Sequence, residues 1–247
     1  LIEKLRDVSA SGNTLTAAEQ LQDQVFGAGD DAYSVDEDST LVVDPTGILT
    51  NDRDPGSEGS LNLETSGEVE TTLGGKATFY GTGELRYEPP VSTQSLGLAE
   101  STQDSVQYVV NDGLGSTNTG TVTLTVTGVN DLPVLATLPP LTLNEDSSFH
   151  GNGTRLGDYL SDIDSDSDEI QYRITNMGAI DSNFGISIGM ASNSDQFASR
   201  SDNSIHIHPA NHFHGQTTVT IEARDLAGGV SNTQDFTVTI NSLNDSP

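Results

Sequence analysis

Oxygen-bearing side chains recur along this chain as two sets in the same order. The first is Asp36-Glu37-Asp38, Asp52-Arg53-Asp54, Asn111-Asp112-Gly113 and Asn130-Asp131-Leu132-Pro133. The second is Asn144-Glu145-Asp146, Asp162-Ile163-Asp164, Arg224-Asp225-Leu226 and Asn244-Asp245-Ser246-Pro247. Glu37 to Glu145 is 108 residues, Asp54 to Asp164 is 110, Asp112 to Asp225 is 113, and Asp131 to Asp245 is 114. A nearly constant offset that drifts slowly is what two copies of one domain give when their loops differ in length. Carboxylates and carboxamides are hard oxygen donors, and calcium gathers about six to eight such oxygens, backbone carbonyls included. Placed at domain edges, these residues point to calcium binding where one domain joins the next.

The elements that must position them are strands. Lys76–Tyr80, Glu84–Tyr87, Ser105–Val110 and Thr121–Thr127 in the first copy largely alternate at period two. So do Ile170–Ile174, Ser204–His208, Thr217–Ala223 and Phe236–Ile240 in the second. Their β-branched and aromatic content suits half-buried antiparallel strands. Short strands separated by polar turns, about seven per hundred residues, are the pattern of a β-sandwich. The fold class expected is all-β: two tandem Ig-like or cadherin-like Greek-key sandwiches, over residues 32–131 and 132–247. Residues 1–31 read differently. Thr16 followed by Glu19 is a capping-box pattern, and Ala18, Leu21, Val25 and Phe26 share a helical face, so this leading segment is expected to be partly helical. The closing Asn244-Asp245-Ser246-Pro247 copies the internal linker, which predicts a piece of a longer array.

Composition narrows the function. Nine Lys and Arg stand against 37 Asp and Glu, a formal charge of −28. Such a field repels nucleic acid and anionic lipid and resists compaction unless cations neutralise it. The competing reading of the acidity is a solubilising surface. There is no Cys, so no disulfide staples either domain. No apolar run is long enough to span a membrane as a helix. No nucleophile, phosphate loop or acid–base pair stands out, and an enzyme is not expected.

On these residues the chain resembles tandem cadherin-type domains, most closely the bacterial cadherin-like repeats of large cell-surface proteins. The resemblance covers residues 32–247 and rests on Glu37, on Gly128-Val129-Asn130-Asp131-Leu132-Pro133, on Asp162-Ile163-Asp164 and on Ala223-Arg224-Asp225. Asp131 and Asp162 are 31 residues apart, enough for a strand, a loop and a turn back to the same pole. Pro209-Ala210-Asn211-His212-Phe213-His214-Gly215 resembles the Pro-x-x-Asn-Phe-x-Gly turn of the bacterial variant with one residue inserted. The resemblance implies a calcium junction. In it Asp131 and Asp164 bridge neighbouring ions, Glu37 serves the side nearer the first domain, and Asn130, Asp162 and Asp225 serve the side nearer the second, with the carbonyl of Val129 or Leu132. Partial sets are implied at the outer ends: Asp30 or Asp31 with Asp52, Asp54 and Asp112, and Glu145 with Asn244 and Asp245. The chain departs from the family at Gly128, where cadherins often place an acid, and in lacking a clear Asp-Arg-Glu element, for which Glu88 is a weak substitute.

Two further signals bear on metals. Asp162 to Glu169 invites an EF-hand reading, but Ser167 stands where that loop needs Gly and Arg173 where it needs Glu. His206, His208, His212 and His214 lie within nine residues, and His206 and His208 fall on one strand face. That pair suits Zn²⁺ or Cu²⁺. The alternative is an edge strand and turn around a buried Phe213, with the imidazoles in water.

The function expected is a calcium-rigidified extracellular module of a bacterial adhesin or surface protein, acting in adhesion or as a stalk. Its partners would be neighbouring repeats of the same chain and other surface proteins or glycans. The alternatives are a carbohydrate-binding module, against which the lack of Trp counts, and a subunit of a self-assembling filament docked through residues 1–31.

Overall fold

The computed structural model describes residues 26–54, 61–166, 169–189, 196–197 and 203–244, with 150–154 as backbone. The helix expected between Thr16 and Val25 lies outside these residues, as do Ser167, Asp168 and Asp245. Contacts divide the chain into two units, Leu1–Gly128 and Val129–Pro247.

The first unit is built from β1 (Asp31–Asp36), β2 (Leu41–Val43), β3 (Asn62–Leu63), β4 (Gly67–Glu70), β5 (Lys76–Phe79), β6 (Leu85–Glu88), β7 (Ser101–Asn111) and β8 (Thr117–Thr127). One sheet runs β1-β8-β7-β3 and the other β2-β6-β5-β4. Alternation in the sequence becomes two faces. In β8, Val122, Leu124 and Val126 are buried and the threonines between them are not. Val106, Tyr108 and Val110 of β7 do the same, and they meet Ala77, Phe79, Leu85 and Tyr87 of the second sheet in one core. Tyr108 lies opposite Gly120 in the β7–β8 register. A Cβ on Gly120 would sit 2.5 Å from the Tyr108 ring, so only glycine leaves room for that ring.

The second unit contains β9 (Val134–Leu135), β10 (Leu141–Asn144), β11 (Phe149–Arg155), β12 (Leu160–Ser161), β13 (Gln171–Ile174), β14 (Ile186–Ile188), β15 (Ser204–Ile207), β16 (Gly215–Arg224) and β17 (Gln234–Asn241). Its main sheet, β10-β17-β16-β13, faces a three-stranded sheet, β11-β15-β14, and β9 pairs with β12. Val219, Ile221, Ala223, Phe236, Val238 and Ile240 from the first pack with Ile186, Ile188, Ile205 and Ile207 from the second. Both units are all-β, and their helical residues among those described are short 3₁₀ turns.

In each unit the first strand of the main sheet runs parallel to the last: β1 with β8, and β10 with β17. The sequence leads directly out of that first strand into Glu37 or Glu145, so the pairing fixes where each glutamate stands. One expectation is corrected. β15 is the middle strand of its sheet and not an edge, and His206 is only 6% exposed. Its imidazole does not face water.

Candidate metal centre

The two glutamates are held alike. The Glu37 N–H donates to the Thr127 carbonyl (3.0 Å) and the Glu145 N–H to the Asn241 carbonyl (2.9 Å), each continuing its parallel pairing by one residue. Their side chains are buried, Glu37 to 2% and Glu145 to 4% exposure. A carboxylate withdrawn from water at a domain end needs a charged or hydrogen-bonding partner, or a cation. Glu145 accepts from the Leu243 N–H, and His214 Nδ1 stands 3.7 Å from its other oxygen.

Asp112 and Asp225 occupy matching hairpins. Oδ1 of Asp112 accepts from the N–H groups of Leu114 (2.8 Å) and Ser116 (2.9 Å). Oδ1 of Asp225 accepts from Gly228 (2.7 Å) and Gly229 (2.8 Å). Each turn thus ties one oxygen to its own backbone and leaves Oδ2 for another ligand. Bonds from the Ser116 side chain and from backbone N–H groups hold the Asp112 carboxyl below its usual range. Asp225 is 1% exposed, and its Oδ2 accepts from Asn130 Nδ2 at 2.9 Å. Gly229 makes that pair possible: a Cβ there would stand 2.4 Å from Asp225 Oδ2 and 2.6 Å from Asn130 Nδ2.

Within the second unit the predicted ligands converge. The Asp131 N–H donates to Asp164 Oδ2 (3.2 Å), and Asn130 Nδ2 also donates to the Asp131 carbonyl (2.8 Å). Asp162 Oδ1 accepts from the N–H groups of Asp164 (3.2 Å) and Ser165 (3.1 Å). Its Oδ2 is buried and meets no hydrogen-bond partner among the described residues. Burial, with Asp164 beside it, pushes the Asp162 carboxyl up to about 6. Asn130, Asp131, Asp162, Asp164 and Asp225 therefore form one connected set; Glu37 belongs to the first unit.

The corresponding end of the first unit is arranged differently. The Tyr108 hydroxyl lies within hydrogen-bond distance of four acceptors: Gly29 O (2.7 Å), Asp31 Oδ2, Ile48 O and Asp52 Oδ1 (3.0 Å each). One proton cannot serve four acceptors, so the surplus oxygens suit an added proton or a cation. Burial pushes the Asp31 carboxyl up to about 6, and burial raises Asp52 as well. Asp52 Oδ2 is buried without a hydrogen-bond partner among the described residues. Asp30 turns elsewhere, accepting from the Thr121 N–H (2.9 Å). Asp54 is half-buried after a bridge between Gly27 and Arg53.

Sequence reasoning missed two features. Asp104, 1% exposed, accepts from the hydroxyls of Thr71, Thr72 and Tyr87 and from the N–H groups of Leu73 and Ser105. Burial alone would raise this carboxyl, but the bonds from Thr71, Leu73, Tyr87 and Thr72 outweigh it and hold it below the usual range. The signal was an Asp at an inward position of an alternating strand. The second is the reason for Gly128: a Cβ there would meet the carbonyls of Gly97 at 2.4 Å and Leu96 at 2.5 Å. An acid cannot occupy this position without moving the backbone, which explains that departure from the cadherin linker. Glu88 lies exposed at the end of β6.

Among the described residues no three Asp, Glu or His side chains are gathered into a group that holds an ion as they stand. The donor chemistry nonetheless suits calcium. The set offers oxygens alone, one carboxylate oxygen of Asp162 is buried and unbonded, and those of Asp164 and Asp225 are met by N–H donors of Asn130 and Asp131 that an ion can replace.

Residues 23–128 match the family model of the bacterial cadherin-like domain, and residues 130–241 that of the bacterial Ig domain. Both families are structural and adhesive modules rather than enzymes. No curated protein sequence matches the chain. Solved structures similar to it include human protocadherin-24 EC1-2, at 14% identity, TM-score 0.50, and coverage of 87% of this chain and 95% of that one. Mouse cadherin-23 EC22-24 is also 14% identical, with TM-score 0.48, 87% of this chain and 65% of that one. Protocadherin gamma B7 domains 1-4 gives 14%, 0.43, 87% and 50%. The chain thus spans half to two thirds of these last two.

Proposed function

We propose, from a chain that carries a bacterial cadherin-like domain and a bacterial Ig domain in tandem, that it is a calcium-responsive repeat module of an extracellular adhesin or surface protein. Calcium is taken up by Asn130, Asp131, Asp162, Asp164 and Asp225 in the second unit, and in the first unit the proposed oxygen ligands are Glu37, Asp52, Asp54 and Asp112. The chemistry is charge neutralisation. Without a cation these carboxylates repel one another; with calcium bound they are held by a shared ion, and the segment linking the two domains stiffens. Extracellular modules of this kind bind calcium at roughly 10⁻⁴–10⁻³ M, so the module would be stiff outside a cell and slack where calcium is scarce.

The observation that carries this reading is Asp162, whose buried second oxygen faces no donor while Asp164 stands beside it. A surface carboxylate that only adds solubility would be hydrated. Sugar binding has less support: Tyr80, at 42% exposure, is the one strongly exposed aromatic among the described residues, and a single ring makes no platform.

The test is small-angle scattering in excess chelator and then across a calcium titration, with Asp164→Ala alongside. A broad distance distribution that narrows with calcium in the parent chain, but not in the variant, supports the clamp. A distribution indifferent to calcium in both leaves the acids as surface charge.

A further inference from the structure

Beside the Tyr108 cluster the first unit holds a small cavity of about 330 Å³, and Gly29 belongs to both. That volume is at the lower end of the range for small-molecule sites. Backbone pairing fixes one wall. Gly27 and Arg53 form an antiparallel bridge, with N–H to carbonyl distances of 3.0 and 2.9 Å. Asn51 Nδ2 donates to the Asp30 carbonyl at 2.8 Å, which holds that carboxamide and leaves its Oδ1 to a ligand. Gly29 makes room for it: a Cβ there would stand 2.7 Å from Asn51 Cγ.

Asn118 enters the cavity from β8. It lies opposite Val110 and two residues before Gly120, on the side of the strand that carries Val122 and Leu124 into the core. A carboxamide at an inward position needs partners, yet that of Asn118 makes no hydrogen bond among the described residues. Arg53 is the charged residue of the wall. Its guanidinium makes no ion pair among the described residues, and none of those lining the cavity is an acid. The nearest acids are engaged elsewhere: Asp30 with the Thr121 N–H, and Asp52 with the Gly29 N–H and the Tyr108 hydroxyl. In a chain with 37 acids and nine bases, a cavity whose one charge is positive stands apart from the surface around it.

We propose that this cavity binds one carboxylated sugar unit, a hexuronate. The Arg53 guanidinium is a planar fork that meets a carboxylate bidentately. Carboxamides donate and accept, as hydroxyls do, so Asn51 and Asn118 suit the hydroxyls of a sugar ring. The half-buried Phe26 ring supplies an apolar wall for its C–H face. A neutral sugar would leave the guanidinium unpaired, and a simple carboxylic acid would leave both carboxamides idle. A ring received into a cavity needs no row of exposed aromatics, so the lack of a flat platform does not count against it. The chain's negative field opposes anions at a distance, but physiological salt screens it beyond about 8 Å, whereas the Arg53 contact is direct. The site shares no ligand with the oxygen sets and needs no calcium.

The test is a ligand-observed NMR titration of the chain with glucuronate, glucose and acetate, each in excess chelator so that no calcium bridges ligand to protein. Glucuronate should bind about tenfold or more tighter than glucose, the factor a charge-assisted hydrogen bond gives, and tighter than acetate. Arg53→Ala should bring glucuronate down to the affinity of glucose. Arg53 is exposed and its backbone pairing with Gly27 survives the change, so the variant should fold, which circular dichroism checks. Asn118→Ala should weaken glucuronate and glucose alike. Arg86→Ala, which removes an exposed positive charge from β6, should change nothing. No binding of glucuronate, a preference over glucose that persists in Arg53→Ala, or an equal loss in Arg86→Ala would each overturn the site. So would acetate bound as tightly as glucuronate, or glucuronate affinity unchanged in Asn118→Ala.

Discussion

The clearest lesson lies in comparing the Asp52 end of the first unit with the Asp162 end of the second. Both carry an Asp-x-Asp, both carry a hairpin aspartate tied through Oδ1 to its own turn, and both keep one buried Asp oxygen without a hydrogen bond among the described residues. They differ four residues before that hairpin aspartate, where the first unit has Tyr108 and the second Ile221, each fully buried. The phenol reaches out of the core and ties Asp31, Asp52, Gly29 and Ile48 together. The isoleucine offers no such donor, and the second unit's acids are met by N–H groups of their own turns and of Asn130 and Asp131. One hydroxyl thus decides whether the acids at the end of a sandwich are tied to its core.

That contrast can be tested by substitution. The largest effect should come from the interior of the first unit, where polar groups matter most. Asp104→Ala strands several buried donors, among them the Thr71 and Tyr87 hydroxyls, and unsatisfied groups of this kind cost about 1–3 kcal/mol each. The first unit should lose about 3–5 kcal/mol after partial relaxation, read by urea unfolding, while the second unfolds as before.

The same residue gives a pH dependence. The folded Asp104 carboxyl sits below its unfolded value, so the unfolded chain binds more protons in between and stability rises with pH there. Its contribution is complete above about pH 4 and is lost as pH falls through the folded value. Acid unfolding of the first unit should therefore become less steep in Asp104→Asn.

Next in size is Tyr108→Phe. It keeps the ring and removes the hydroxyl from Asp31 and Asp52, which should cost the first unit about 1.5–3 kcal/mol, the range for bonds to charged groups. Calcium should recover part of that loss if the freed oxygens accept an ion; if it recovers none, the phenol was the only thing that end needed. Smallest is Asp162→Asn in the second unit. At about 10 mM calcium, the affinities typical of extracellular modules correspond to about 1.4–2.7 kcal/mol of stabilisation. The variant should lose that calcium-dependent gain in a thermal melt while its stability in chelator stays the same or improves, because a repelling charge has gone.

Much of this was legible in the residues. The alternation in β7, β8, β16 and β17 placed the strands, because a period of two admits a single sorting of side chains between core and water. The repeated acids marked Asp112 and Asp225 as equivalent, and the structure gives both the same turn geometry. Asp104 was hidden because an inward carboxylate breaks the pattern that locates strands. Only the donors that fold around it from Thr71 to Leu73 and from Tyr87 explain it.

The sequence by itself determined that there are two sandwiches, which long alternating strands build their cores, and that oxygen-bearing side chains recur at matching positions in both. These follow from local periodicity and from spacing, which act along the chain. Tertiary structure decided the rest. It set Tyr108 among four acceptors, made Gly128 necessary through carbonyls some thirty residues away in the chain, and put His206 in a middle strand opposite His150. Such contacts join residues far apart in sequence, and their distances depend on strand register and side-chain packing.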